Sequence, residues 1–195
     1  MTRDGVAGGF FTVVVLTTGA ALGQTGGPEI HFSATREGEF IFAEARVDLP
    51  VAPAMAWAVL TDYESYPLFI SSMRESKVVS RHPAGVVVDQ KGSFGFLFFS
   101  QEIEMRMLVL EYPTNLIVAR AVGGSFRDTL GRYELVPVGG GVRVFYTGRF
   151  VPDFSLPPLI GMSIVHYALR RNFTEMVDEI LRRDAAARQP FKATE

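Results

Sequence analysis

One stretch near the C-terminal end constrains this chain more than any other. Between residues 158 and 183, Leu159, Met162, His166, Leu169, Phe173, Met176 and Ile180 recur at alternating steps of three and four. At about 100° per residue, that spacing draws a single stripe along a helix. Every member is large and apolar except His166, an imidazole among hydrocarbon. Arg171, Glu175, Asp178 and Arg182 fall on the opposite side and read as solvated surface. A helix with such a face must lay it on something. The chain before it supplies mostly strands.

From Glu39 the run FIFAEARVDLPV alternates, with Ala43, Ala45, Val47 and Leu49 on one face and Glu44, Arg46 and Asp48 on the other. Pro53 suits a first helical position, where its missing N–H costs nothing, so a short helix over 53–60 is expected. Thr61-Asp62 stops it. Leu68, Phe69, Ile70 and Met73 form a second apolar cluster, expected as a turn or two of helix packed over an opening. Strand signals follow at 75–81, 86–91, 102–110, 115–122, 127–136 and 142–150, with His82-Pro83-Ala84-Gly85, Gly123-Gly124 and Gly139-Gly140-Gly141 as turns. In the third of these Ile103, Met105, Met107 and Val109 alternate with Glu102, Glu104 and Arg106. In the last, Val142, Val144 and Tyr146 alternate with Arg143, Thr147 and Arg149. One apolar and one wet face is the mark of an antiparallel sheet covered on one side. Strands followed by a segregated helix argue for the α+β class.

The ends carry different signals. Residues 1–23 place Arg3 before an apolar run that closes on Ala21-Leu22-Gly23, the layout of a secretory signal peptide with cleavage before Gln24. A retained anchor is the competing reading, but about 10 strongly apolar residues are short of the ~20 that span a bilayer. A periplasmic or secreted protein is therefore expected. Residues 24–38 read as a polar lead-in arm holding a solvated His31, 39–183 as the folded domain, and 184–195 as a fraying tail. A net charge of -2 with no Lys/Arg block gives nucleic acid nothing to meet, so no such partner is expected. The 16 phenylalanines are enough for a core and more than enough to line an apolar pocket. With no cysteine, disulfides, thiolate metal sites and Cys nucleophiles are excluded.

Three segments, AWAVLTDYESYPLFISSM, GGSFRDTLGRYELVPV and PDFSLPPLIG, resemble the SRPBCC, or START-like helix-grip, superfamily. The nearest branch is the polyketide cyclase/dehydrase and lipid-transport group, with its coenzyme Q-binding START-like members. The resemblance covers residues 39–183. It implies a curved antiparallel sheet of about seven strands gripping the long C-terminal helix, with two short helices after the first strand and an elongated apolar cavity inside. On that architecture Met105, Met107, Tyr133 and Tyr146 from the strands and Trp57 from the first helix are expected on the cavity wall. Met162, His166, Leu169 and Phe173 would come from the last helix. Where relatives often carry Trp in a GxW-type strand, this chain has Tyr133, which alters the wall.

Catalytic constellations are sparse. There is no G-x-S-x-G elbow, no P-loop and no dinucleotide fingerprint. Three scattered histidines without an H-x-x-x-H pair do not make a zinc site, and no cofactor or metal is expected. His166 is the candidate for chemistry. Buried among apolar groups it would be held neutral, able to bond a ligand oxygen or act as a general base; a purely structural bond to a carbonyl or a Tyr hydroxyl is the competing role. Tyr133, Tyr146 and Arg132 are its expected polar neighbours, and strand parity lets only one of Tyr133 and Arg132 face inward. The leading expectation is an exported protein that binds or carries a hydrophobic small molecule, a lipid or isoprenoid quinone, with transient membrane contact. The alternatives are a polyketide cyclase/dehydratase using His166 or a Tyr hydroxyl, and a ligand-free structural partner in the cell envelope. The absence of a paired acid and base favours binding over catalysis.

Overall fold

A computed structural model describes residues 27–96 and 99–189. The expected signal peptide, residues 1–23, lies outside the described residues. Among the described residues there are eight strands: β1 His31–Glu37, β2 Phe40–Leu49, β3 Met73–His82, β4 Gly85–Phe96, β5 Phe99–Tyr112, β6 Leu116–Gly124, β7 Phe126–Val138 and β8 Gly141–Pro152. Helix α1, Pro53–Leu60, and a 3-10 turn, Tyr63–Leu68, follow β2, and helix α2, Gly161–Arg188, ends the fold. All strands join one antiparallel sheet in the order β1-β2-β8-β7-β6-β5-β4-β3.

The eighth strand comes from the segment expected to be a loose arm. Residues His31 to Glu37 pair with Arg46 to Phe40, closed by a two-residue turn in which Gly38 takes φ +60°. That turn needs a left-handed residue, and Gly adopts it without a Cβ clash. As an edge strand, β1 buries little side chain and is held by ladder hydrogen bonds to β2, which explains why hydrophobic periodicity did not show it.

Helix α2 begins later and ends later than the stripe implied. Leu159 stands outside it, exposed and at φ +69°. The helix runs on to Arg188, which pairs with Asp184 and donates to the Pro50 carbonyl. The 184–195 tail is thus helical at its start. The buried face is Ile164, Val165, Ala168, Phe173, Met176, Val177 and Ile180. The expected stripe holds over the second half and slips in the first, where His166 is exposed. A strict three-four alternation advances 3.5 residues per turn against 3.6 in the helix, so it drifts about 20° per heptad. His166 lies one heptad before Phe173, a drift of only about 20°; it is exposed because over this first half the buried side has passed to Ile164, Val165 and Ala168.

The sheet curls so that strands near its two edges reach the helix. Helix α2 comes close to β1 and β2 on one side and to β4 on the other. The main core lies under its second half, where Val47, Leu49, Leu135, Val142 and Val144 meet Val59, Leu60, Val177 and Ile180. Glu179 ties this end down. Its carboxylate accepts from Arg182 and Arg183, and Arg183 also donates to Asp62 beyond α1.

Candidate functional site

Room under the middle of α2 follows from side-chain size in successive rows across the sheet. One inward row reads Val47, Val144, Leu135, all branched and buried. Two residues along, the row is Ala45, Tyr146, Tyr133, Ile117. Two further, it is Ala43, Gly148, Gly131, Ala119. Side chains this small leave a trough between sheet and helix. A Cβ built on Gly131 would meet nothing closer than 3.9 Å. Gly148 is different, because a Cβ there would collide with the Tyr146 hydroxyl. Tyr146 therefore leans along its own strand over Gly148, toward Phe150, as inward strand side chains do when the neighbour two residues on is small.

The trough is a cavity of about 240 Å³. Its sheet wall is Met105, Met107, Val109, Ile117 and Ala119, with Tyr133 and Tyr146 across it; Leu169, Phe173 and Met176 form the helix wall. Tyr63, Tyr66 and Ile70 close one end. Of the apolar cluster expected there, Ile70 and Met73 line the space, whereas Leu68 is exposed and Met73 belongs to β3. Ser71 donates from its backbone N–H and its hydroxyl to Glu175, and the Ser72 hydroxyl donates to Asn172 Oδ1 at 2.9 Å, pinning this segment to the helix. Two smaller lobes adjoin it. One of about 130 Å³ lies toward Ser72, Lys91 and Ser93; the other, of about 120 Å³, is walled by Phe94, Phe126, Phe150, Phe154 and Leu156.

The polar groups that line the main cavity among the described residues are neutral. No carboxylate, imidazole or cation is among its described lining residues. Two of its four tyrosines are occupied: Tyr63 donates to Glu111 Oε1 at 2.8 Å and Tyr66 to the Leu60 carbonyl at 2.7 Å. Tyr133 and Tyr146, with rings 4.9 Å apart, have no hydrogen-bond partner for their hydroxyls among the described residues. Burial pushes the Tyr133 phenol well up and that of Tyr146 up to about 12, so both remain O–H donors across the accessible pH range. Burial likewise raises Tyr66, and burial with the Glu111 bond raises Tyr63.

Of the expected wall residues, Met105, Met107, Tyr133, Tyr146, Leu169 and Phe173 line the cavity. Three do not. Trp57 packs on the outer part of the main core, and Met162 packs against the cluster of Ile41, Phe150 and Val165. His166 stands edge-on to Phe32 of β1, ring centroids 5.0 Å apart, on the exposed flank of the helix. Its expected bond to Tyr133, Tyr146 or Arg132 is not made. Arg132 points outward and pairs with Glu134, leaving Tyr133 as the inward member of that strand pair. Sequence reasoning missed Tyr63, Tyr66, Gln90, Thr129 and Asn172. Strand parity would have given Gln90 and Thr129; the tyrosines depend on where a non-repetitive turn folds back.

A family model described as "Polyketide cyclase / dehydrase and lipid transport" matches residues 49–184. The chain belongs to that family. This is the SRPBCC, START-like group, and the cavity between curled sheet and C-terminal helix is its architecture, with eight strands here rather than about seven. Solved structures agree on the fold. A START superfamily protein from Mycobacterium smegmatis superposes with a TM-score of 0.61 at 14% identity, covering 72% of this chain and 97% of that one. The Zhui aromatase/cyclase from Streptomyces sp. R1128 gives 0.60 at 12% identity, covering 84% and 100%. A fragment of a STAR-related lipid transfer protein from Xanthomonas axonopodis gives 0.57 at 14%, covering 77% and 98%. No curated protein matches the sequence. The family places this chain among binders of hydrophobic small molecules.

Proposed function

We propose that this chain binds an apolar molecule bearing one or two oxygen atoms, a lipid or an isoprenoid quinone, and carries it through an aqueous compartment outside the cytoplasm. One observation carries the reading: two tyrosines, Tyr133 and Tyr146, whose hydroxyls have no partner among the described residues, line a largely apolar cavity. A ligand oxygen accepting from Tyr133 and Tyr146 gains about 0.5–1.5 kcal/mol per hydrogen bond. Burial of ligand hydrocarbon supplies the rest, roughly 25 cal/mol per Å² before ordering costs. Small-molecule sites commonly combine such apolar walls with a few placed polar groups.

A cyclase or dehydratase on the same fold needs a group that takes a proton. The lining offers phenols held protonated and two neutral amides, Gln90 and Asn172, which supports binding over turnover. Export rests on the N-terminal layout of Arg3, the apolar run and Ala21-Leu22-Gly23.

Native mass spectrometry with lipid extraction, after expression of the full chain in an exporting host, tests both parts. Expected are a co-purifying apolar molecule and a mature N-terminus at Gln24. A chain that emerges empty and takes up no added lipid overturns the carrier reading. A chain that stays in the cytoplasm overturns export.

A further inference from the structure

The cavity has a neck, and the neck sorts its walls by chemistry. Met105 and Leu169 touch the main cavity and both smaller lobes, so these two side chains stand where the three spaces meet. Thr129 and Tyr146 are shared by the main cavity and the lobe walled by phenylalanines. Beyond them that lobe has no polar side chain among its described lining residues. Its rings form an edge-to-face set: Phe126 lies 5.8 Å from Phe150 at 88° and 5.8 Å from Phe154 at 72°. The other small lobe is lined by Ser72, Gln90, Lys91, Ser93 and Asn172 as well as apolar groups, and so suits hydrocarbon less.

Size points the same way. The main cavity alone, about 240 Å³, falls below the roughly 300–1,000 Å³ of small-molecule sites. Joined to its neighbours through the neck, it falls inside that range. Methionine is the residue best able to open such a passage, since its unbranched chain changes rotamer without straining the strand.

Resting on the binding function proposed above, we infer that the ligand is two-part: an oxygenated head lies in the main cavity against Tyr133 and Tyr146, and a hydrocarbon chain passes between Met105 and Leu169 into the phenylalanine lobe. Met105 and Leu169 thereby become the residues that select for chain length. The Tyr146 hydroxyl, lying over Gly148 at the neck, fixes which end of the ligand stays behind.

Binding of 4-ethylphenol and 4-nonylphenol to the full chain, measured by calorimetry, tests this. Each buried methylene is worth at most about fourfold in affinity, so nonylphenol is expected to bind at least tenfold more tightly than ethylphenol. Leu156→Trp fills the phenylalanine lobe and is expected to collapse that ratio toward one. Bound ethylphenol with no gain from the nonyl chain overturns this inference and leaves the binding function standing. A ratio that persists in folded Leu156→Trp also overturns it, because the chain then runs elsewhere. Failure of both phenols to bind overturns the binding function itself. Should Leu156→Trp not fold, a nonylphenol carrying a terminal diazirine, photolysed on the unaltered protein, decides the matter. Labelling at Phe126, Phe154 or Leu156 supports the inference, and labelling near Ser72 and Gly92 or on the outer surface overturns it.

Discussion

Beneath the last turns of α2 the interior is solid, and beneath its middle it is hollow, although the same helix and the same strands bound both regions. At the solid end Val47, Val144 and Leu135 rise from β2, β8 and β7 to meet Ile180 and Val177. Four residues along those strands, Ala43, Gly148 and Gly131 occupy the equivalent inward positions and do not reach the helix. Both rows suit an interior. What separates core from cavity is side-chain volume at fixed backbone spacing, and the two tyrosines mark the border between them. The charged clamp of Glu179, Arg182, Arg183 and Asp62 sits at the solid end, so the structure is anchored away from the space that a ligand would use.

Truncation should separate the two regions most strongly. Ile180→Ala removes a fully buried side chain from the packed end and is expected to cost about 3–4 kcal/mol in urea unfolding. Leu169→Ala, beside existing space, should cost about 1 kcal/mol, since the neighbours it leaves already face a void. Equal losses would mean that the hollow is filled in solution. Enlargement should then divide them in the opposite sense. Ala56→Leu overpacks α1, where no space remains, and is expected to cost about 2 kcal/mol. Ala119→Leu grows into the cavity, leaves stability near that of the parent, and displaces a bound phenol by more than tenfold.

Acid should act on the solid end. The Arg182 and Arg183 guanidiniums hold the Glu179 carboxyl down at about 2, below the 4.5 of a free glutamate, against the opposing effect of its burial. A group whose pKa is depressed by folding contributes stability fully above its unfolded value and loses it as pH falls toward the folded one. Glu179 should therefore stabilise the fold fully above about pH 5 and cease to do so near pH 2. Glu179→Gln is expected to cost about 1–1.5 kcal/mol at pH 7 and to flatten the pH profile of urea unfolding between pH 5 and 2. An unchanged profile would place the acid sensitivity elsewhere.

The fold was legible because it rests on alternation and on one long amphipathic helix. Strands β2, β5 and β8 follow the inward and outward parities read from Ala43 to Leu49, Ile103 to Val109 and Val142 to Tyr146. Strand β1 was not legible, since its only large apolar side chain is Phe32 and its stability comes from backbone pairing. The site was legible on its strand side for the same reason as the strands. On the helix side it failed at Met162 and His166, where reading the largest residues as the stripe passed over Ile164, Val165 and Ala168. His166 stood out as an imidazole in hydrocarbon. In three dimensions it covers Phe32 at the sheet edge, and the polar groups of the cavity are four phenols, the Gln90 and Asn172 amides and the Thr129 hydroxyl.

The smallest stability effect should come from the group nearest to function. Tyr66 and Tyr133 both line the cavity, but only Tyr66 spends its hydroxyl inside the protein. Tyr66→Phe leaves the Leu60 carbonyl without that donor and is expected to cost about 1 kcal/mol. Tyr133→Phe deletes a hydroxyl that has no partner among the described residues, so unfolding should shift by less than about 0.5 kcal/mol, in either direction. Ligand binding should reverse the order. Tyr133→Phe removes a donor aimed at the ligand oxygen and is expected to weaken phenol binding about five- to tenfold by calorimetry, about 1–1.4 kcal/mol, whereas Tyr66→Phe should leave it within twofold. If the two variants weaken binding equally, the free hydroxyl has no special part in holding the ligand. The difference between the cavity and the core would then be one of volume alone.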